Sequence, residues 1–122
     1  MKHKILLIED NESNLYLTTF LLEKSGIEVV SARNGPDGIR MAVQDRPDLI
    51  ILDIQLPLMD GYAVARKLRT QPGLENLPII AVTSYAMAGD REWAFEAGCN
   101  GYIEKPINPD TFRDEIGKFL NM

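Results

Sequence analysis

The chain reads as an α/β protein in which five parallel strands alternate with five helices in a doubly wound sheet. Three observations predict this. Short runs, most of them rich in Ile, Leu or Val, recur five times along the 122 residues, each of a strand's length. Between them, apolar residues fall at helical spacing, bounded by Asn, Ser, Gly and Pro. The runs Ile5 to Ile8, Leu49 to Leu52 and Ile79 to Val82 are continuously apolar, which marks strands covered on both faces, as in a parallel sheet. Regular alternation of this kind implies right-handed crossovers.

The elements follow in order. Ile5 to Ile8 is the first strand. Asn11-Glu12-Ser13 forms the capping region of a helix that carries Leu15, Thr18, Thr19, Leu21 and Leu22, and Ser25-Gly26 closes it with a left-handed cap. Ile27 to Ser31 is a weaker second strand. A second helix opens at Gly35-Pro36, since proline is tolerated in the first turn, and runs to about Asp45 before Pro47. Leu49 to Leu52 is the third strand, and Tyr62 to Arg69 a helix that stops ahead of Pro72-Gly73. Ile79 to Val82 is the fourth strand, followed by a helix from about Ala88 to Ala97 that ends at Gly98. Gly101 to Ile103 is the fifth strand. Asn108 then caps a helix with Pro109 in its first position, reaching Phe119 or Leu120.

Bulk properties narrow the function classes. A chain of 122 residues forms one compact domain, expected to span 1–122 with no output domain attached. It buries roughly two-thirds of its unfolded surface without needing a disulfide or structural metal. With 45% apolar and 25% charged residues it is an ordinary globular composition. The net charge of −5 and the lack of any basic run argue against nucleic acid as a partner. The single cysteine, Cys99, cannot form an internal disulfide, which fits a reducing cytosol. The apolar run after Lys2-His3-Lys4 is too short for a signal peptide, and no segment has the length of a membrane span. A cytoplasmic location without membrane contact is expected.

In open parallel sheets, ligands bind beyond the carboxyl ends of the strands. The residues found there are Glu9-Asp10, Asp53, Thr83-Ser84 and Glu104-Lys105-Pro106. Three carboxylates converging at one edge repel one another unless a cation neutralises them or one takes a proton. A hard divalent ion with oxygen ligands, Mg²⁺ first and Mn²⁺ as a substitute, fits such a cluster. Lys105 adds a fixed positive charge and Thr83 a hydroxyl. Carboxylate, metal, ammonium and hydroxyl together suit phosphoryl transfer, where positioning and charge neutralisation carry the catalysis. One carboxylate can itself become the nucleophile.

Five ordered motifs now carry a resemblance: Glu9-Asp10-Asn11, Asp53-Ile54-Gln55-Leu56-Pro57, Met59-Asp60-Gly61, Thr83-Ser84 and Lys105-Pro106. With their intervals, they resemble the bacterial response-regulator receiver family over the whole chain. Ala86-Met87-Ala88-Gly89-Asp90 and Gly98-Cys99 ahead of Tyr102 look closest to DivK-like single-domain regulators, and also resemble receivers appended to hybrid histidine kinases. The resemblance implies a flavodoxin-like strand order 2-1-3-4-5. It implies a two-component phosphorelay, with Asp53 accepting a phosphoryl group from a histidine kinase or histidine phosphotransferase.

The same resemblance assigns the remaining roles. Asp10, Asp53 and the backbone carbonyl of Gln55 would bind Mg²⁺ directly, and Glu9 through a water. Lys105 would pair with the phosphoryl oxygens, and with Asp53 when no phosphoryl is present. A cis peptide would precede Pro106. Thr83 and Tyr102 would form a switch that reorders the face made by the fourth helix, fifth strand and fifth helix, where a downstream protein binds. The protein would be a monomer or a phosphorylation-linked dimer. Gln55 and Tyr85 would flank the site and influence how readily water reaches the phosphoryl group, so Tyr85→Ala is expected to change its lifetime. It would act as a binding module that assists its own phosphorylation and slow dephosphorylation.

Other residues read more plainly. Asp48 and Asp60 are loop or helix-start residues, and His3 is a surface residue at the opposite edge from the carboxylates. Cys99 is a small residue near the fifth strand. Ala94 and Ala97 mark the sheet-facing side of the fourth helix, which leaves Trp93 partly exposed, for helix packing or a partner. Two enzyme or carrier readings compete. A haloacid-dehalogenase-like phosphatase normally has Asp-x-Asp at its nucleophile, whereas Asp53 is followed by Ile54 and Gln55. A nucleotide or flavin carrier of P-loop or Rossmann type needs a Gly-rich phosphate loop, which the sequence lacks.

Overall fold

The computed structural model describes residues 2–84 and 86–120. Among them strands and helices alternate as β1 (Lys4–Ile8), α1 (Glu12–Lys24), β2 (Glu28–Ala32), α2 (Gly35–Asp45), β3 (Leu49–Asp53), α3 (Gly61–Arg69), β4 (Ile79–Thr83), α4 (Asp90–Glu96), β5 (Gly101–Glu104) and α5 (Pro109–Leu120). The strands form one parallel sheet in the order β2-β1-β3-β4-β5. The expected doubly wound architecture is therefore the observed one. Strand order reverses between β1 and β3, and that is where such sheets leave a cleft at their carboxyl edge.

Period-two alternation is hidden inside the apolar runs. Leu6, Ile8, Ile50, Leu52, Ile79 and Ala81 enter one core layer with Ala42 of α2, Val64, Ala65 and Leu68 of α3, and Ala94 of α4. Ile5, Leu7, Leu49, Ile51, Ile80 and Val82 enter the other with Leu22 of α1 and Phe112, Ile116 and Leu120 of α5. Every residue of β3 and β4 is buried, whereas the edge strands β2 and β5 are only partly covered. That is why β2 is weakly apolar in sequence: one of its sides has no neighbouring strand.

Several boundaries differ from expectation, and the starts of β2 and α4 do so for a local reason. β2 begins at Glu28, because Ile27 belongs to the end of α1. There Gly26 takes φ 82°, its N–H donates to Glu23 O (2.9 Å), and Ile27 N–H reaches Leu22 O (3.1 Å). This is a Schellman cap, with Ile27 packed in the same cluster as Leu22. α4 begins at Asp90, two residues later than expected, because Gly89 is left-handed (φ 91°) and Asp90 closes a turn onto Met87. β3, β4 and β5 each run one residue further, taking in Asp53, Thr83 and Glu104.

The end of α4 repeats the α1 device. Gly98 (φ 109°) donates to Phe95 O and Cys99 N–H to Ala94 O, both at 3.0 Å. Cys99 is buried against Ala94 as the apolar residue of that cap, which accounts for it structurally. Trp93 is 51% exposed. Asn11, Asn34 and Asp60 cap α1, α2 and α3 by accepting from the third residue beyond. No helix among the described residues is long and apolar enough to cross a membrane.

Candidate functional site

Parallel register brings the strand-end residues together. Ile8 lies beside Leu52, so the next residues, Glu9 and Asp53, are neighbours. Asp53 pairs with Val82, and Thr83 with Glu104. Backbone bonds carry the ladders one step beyond β1 and β5: Glu9 N–H donates to Ala32 O (3.0 Å) and Lys105 N–H to Thr83 O (2.7 Å). Of these, Glu9, Asp53 and Lys105 line a cleft of about 480 Å³ with Asp10, Asn11, Gln55 and Ser84.

Carboxylate oxygens of Glu9, Asp10 and Asp53 all lie within 4.8 Å of one another. Glu9 and Asp53 are buried, whereas Asp10 is exposed at the mouth. Lys105 Nζ stands 2.6 Å from Glu9 Oε1 and 3.5 Å from Asp53 Oδ2, so its ammonium sits closer to Glu9 than to Asp53. The Lys105–Pro106 peptide is cis. The other Glu9 oxygen accepts from Asn11 N–H (3.2 Å). Gln55 N–H donates to Asp53 Oδ1 at 3.1 Å.

Asp53 is pushed up to about 7 from its ordinary 3.8, first by burial, then by the hydrogen bond and negative charge of Glu9; Lys105 and the Gln55 N–H pull the other way. One cation is therefore not enough to hold the cluster fully ionised at neutral pH. An all-oxygen donor set with excess negative charge, open to solvent at Asp10, fits a hard divalent cation such as Mg²⁺.

Thr83 ends β4 and is buried. Its Oγ1 accepts from Gln55 Nε2 at 2.6 Å, and Ser84 N–H donates to Gln55 Oε1 at 3.2 Å. Tyr102 lies on β5, half-buried against the core layer of α2, α3 and α4. Tyr85 lies outside the described residues. Asp48 accepts from Lys4 N–H (2.8 Å) at the start of β1, and His3 is its neighbour, away from the cleft.

Sequence reasoning missed Asp90 and Tyr62. Asp90 is buried, and its carboxylate accepts from Met87 N–H (2.6 Å) and from the Tyr62 hydroxyl (3.3 Å). The pair ties the segment after Thr83 to α3. An acidic residue directly after a glycine was the available signal. A second groove of about 510 Å³ runs along α1, lined by Leu15, Tyr16 and Phe20. It gathers no cluster of opposed charges and is not where the chemistry sits.

Comparison with known proteins agrees with this geometry. Residues 5–117 match the response regulator receiver domain family model. The chain is 42% identical over 120 residues to the polar-differentiation response regulator DivK of Brucella anthropi, covering 98% of each. It superposes with a TM-score of 0.92 at 34% identity on the receiver domain of a sensor histidine kinase from Pseudomonas aeruginosa, a structure with a magnesium ion coordinated in its active-site cleft; all of both chains is covered. A CheY-like receiver domain protein from Methanospirillum hungatei aligns with a TM-score of 0.91 at 29% identity, over 99% of this chain and 95% of that one.

Proposed function

The chain belongs to the response regulator receiver family, and from that membership we propose that Asp53 is its phosphoryl acceptor. Receivers are signalling modules of two-component systems that take a phosphoryl group on aspartate with Mg²⁺ and work with histidine kinases or phosphotransferases and downstream proteins. The observation that carries the assignment is one buried carboxylate at the end of the central strand β3, with Glu9, Asp10 and Lys105 around it and its proton affinity raised to about 7.

Asp10, Asp53 and the Gln55 carbonyl would hold Mg²⁺ directly and Glu9 through water, with Mn²⁺ as a substitute. When bound, the ion supplies charge neutralisation at the oxygens around the transferred phosphorus. In the transfer, an Asp53 oxygen forms the new O–P bond while the N–P bond of a phosphohistidine donor breaks, and the imidazole leaves. Lys105, already beside Asp53, meets the phosphoryl oxygens, and Gln55 N–H steadies the other carboxylate oxygen. Thr83 and Tyr102 form the switch.

The face of α4, β5 and α5 carries the output. Exposed Trp93 and Phe95 support that reading, as does Arg91, which lies 5.3 Å from the centre of the Phe95 ring. The protein is cytoplasmic, monomeric or dimeric through this face when phosphorylated, and acts as a binding module that assists its own phosphorylation and slow dephosphorylation.

Incubation with Mg²⁺ and acetyl phosphate, followed by intact mass, tests the proposal. A gain of one phosphoryl group is expected, absent in Asp53→Asn and with a chelator. A gain that survives Asp53→Asn refutes the assignment. No gain from acetyl phosphate or from histidine kinases refutes phosphoryl acceptance.

A further inference from the structure

We infer that Gln55 is a positioning residue for the Thr83 switch: its side-chain amide holds the Thr83 hydroxyl and the Ser84 N–H until a phosphoryl group on Asp53 displaces it. The inference rests on the reading of Asp53 as acceptor and Thr83 as switch.

One residue touches both ends of the signal. The Gln55 backbone N–H donates to Asp53 Oδ1 (3.1 Å), while its side chain donates to Thr83 Oγ1 (2.6 Å) and accepts from Ser84 N–H (3.2 Å). The side-chain contacts bridge 28 and 29 positions of sequence, so they are tertiary and not the geometry of a turn. An amide is suited to this pair of partners because it offers a donor and an acceptor together. A carboxylate could accept from both groups but could not donate to Oγ1, and an ammonium could donate to Oγ1 but not accept from the N–H.

A phosphoryl group presents strong acceptor oxygens. On Asp53 it competes with Gln55 Oε1 for the Ser84 N–H, and as the Thr83 hydroxyl turns to donate to it, Oγ1 moves away from the Gln55 Nε2 that it accepts from. The far end of the same segment stays pinned, since Asp90 holds Met87 N–H and the Tyr62 hydroxyl. Loss of the Gln55 bonds therefore acts at Thr83 and Ser84, while the start of α4 stays held. Gln55 is exposed, so water competes for both bonds and the hold is weak. Its removal is expected to raise the population of the released form by about fivefold to tenfold.

Gln55→Met tests this, because it keeps the side-chain length, loses both polar groups and alters an exposed position that leaves folding intact. Backbone amide resonances of Ser84, Met87 and Tyr102 are followed by NMR in wild type, before and after Mg²⁺ and acetyl phosphate, and in unphosphorylated Gln55→Met. Intact mass is recorded on the same samples. The expected result is that the variant's Ser84 and Tyr102 peaks move, without any donor, part of the way along the path that wild type follows on phosphorylation. Peaks that stay in place, or leave that path, overturn the inference while a wild-type mass gain leaves the Asp53 reading standing. No mass gain in wild type removes that reading, and the inference with it.

Discussion

At the scale of single residues, Asp53 carries an energetic tension that can be measured. An acid whose affinity for its proton is higher in the folded state contributes stability that is complete below its ordinary value of 3.8 and is lost as pH rises through about 7. Without divalent cations the domain is thus weakened by Asp53 on the alkaline side. Asp53→Asn keeps the shape and removes the charge. In chelator it is expected to raise the unfolding free energy by about 1–3 kcal/mol at pH 8, with the gain shrinking toward pH 5. Denaturant melts at both pH values check this, and an equal gain at both contradicts it. Asp53, Glu9, Asp10, Thr83 and Lys105 were legible as polar residues that close or follow apolar runs. The preference of Lys105 for Glu9, the Gln55–Thr83 contact and the Asp90–Tyr62 pair were not, because each joins residues 28 or more positions apart, and only the fold sets which partner is nearer.

At the scale of elements, the join between β3 and α3 is the tightest point of the site. Gly61 opens α3 with its N–H on Ile54 O (2.9 Å), and a Cβ added there would lie 2.6 Å from Ile54 Cα and 2.7 Å from Asp53 O. Both are backbone atoms, of Ile54 and Asp53, and cannot step aside as a flexible side chain would. Gly61→Ala is expected to cost about 1–3 kcal/mol of stability and to slow phosphorylation by acetyl phosphate. Unchanged melting and an unchanged rate together would show that the helix can slide. On α1, Tyr16, Leu17 and Phe20 are exposed on a helix that starts at the rim of the cleft. A protein donor must cover that rim, whereas a small donor need not. Tyr16→Ala with Phe20→Ala is expected to slow transfer from a phosphohistidine protein at least tenfold, a loss of about 1.4 kcal/mol, and to leave the acetyl phosphate rate unchanged. Equal slowing of both donors would place the effect in the site and not in docking. Element order and type were legible from periodicity. Boundaries failed where a cap used a residue that composition gave to a strand, as at Ile27, or where a left-handed glycine delayed a helix, as at Gly89.

At the scale of the whole molecule, the site is assembled from residues following or ending four strands, so its charge state is tied to global stability. β3 is central, flanked by β1 and β4, and buried along its full length. An ion that binds only the folded cleft stabilises the entire domain, not one loop. Because Asp53 holds its proton up to about 7, a cation taking that oxygen must displace the proton at lower pH. Apparent Mg²⁺ affinity should then fall by about tenfold per pH unit below that value, as one proton is exchanged, and level off above it. Thermal melts titrated with Mg²⁺ between pH 5 and 8.5 are expected to show an upward shift that is large at the alkaline end and fades in acid. Asp10→Asn should reduce the shift at every pH, since Asp10 is the carboxylate open to solvent, while Asp53→Asn should both weaken it and flatten its pH dependence. A shift independent of pH in wild type would place the ion away from Asp53. A pH-dependent shift that survives Asp53→Asn would assign the displaced proton to another carboxylate of the cluster.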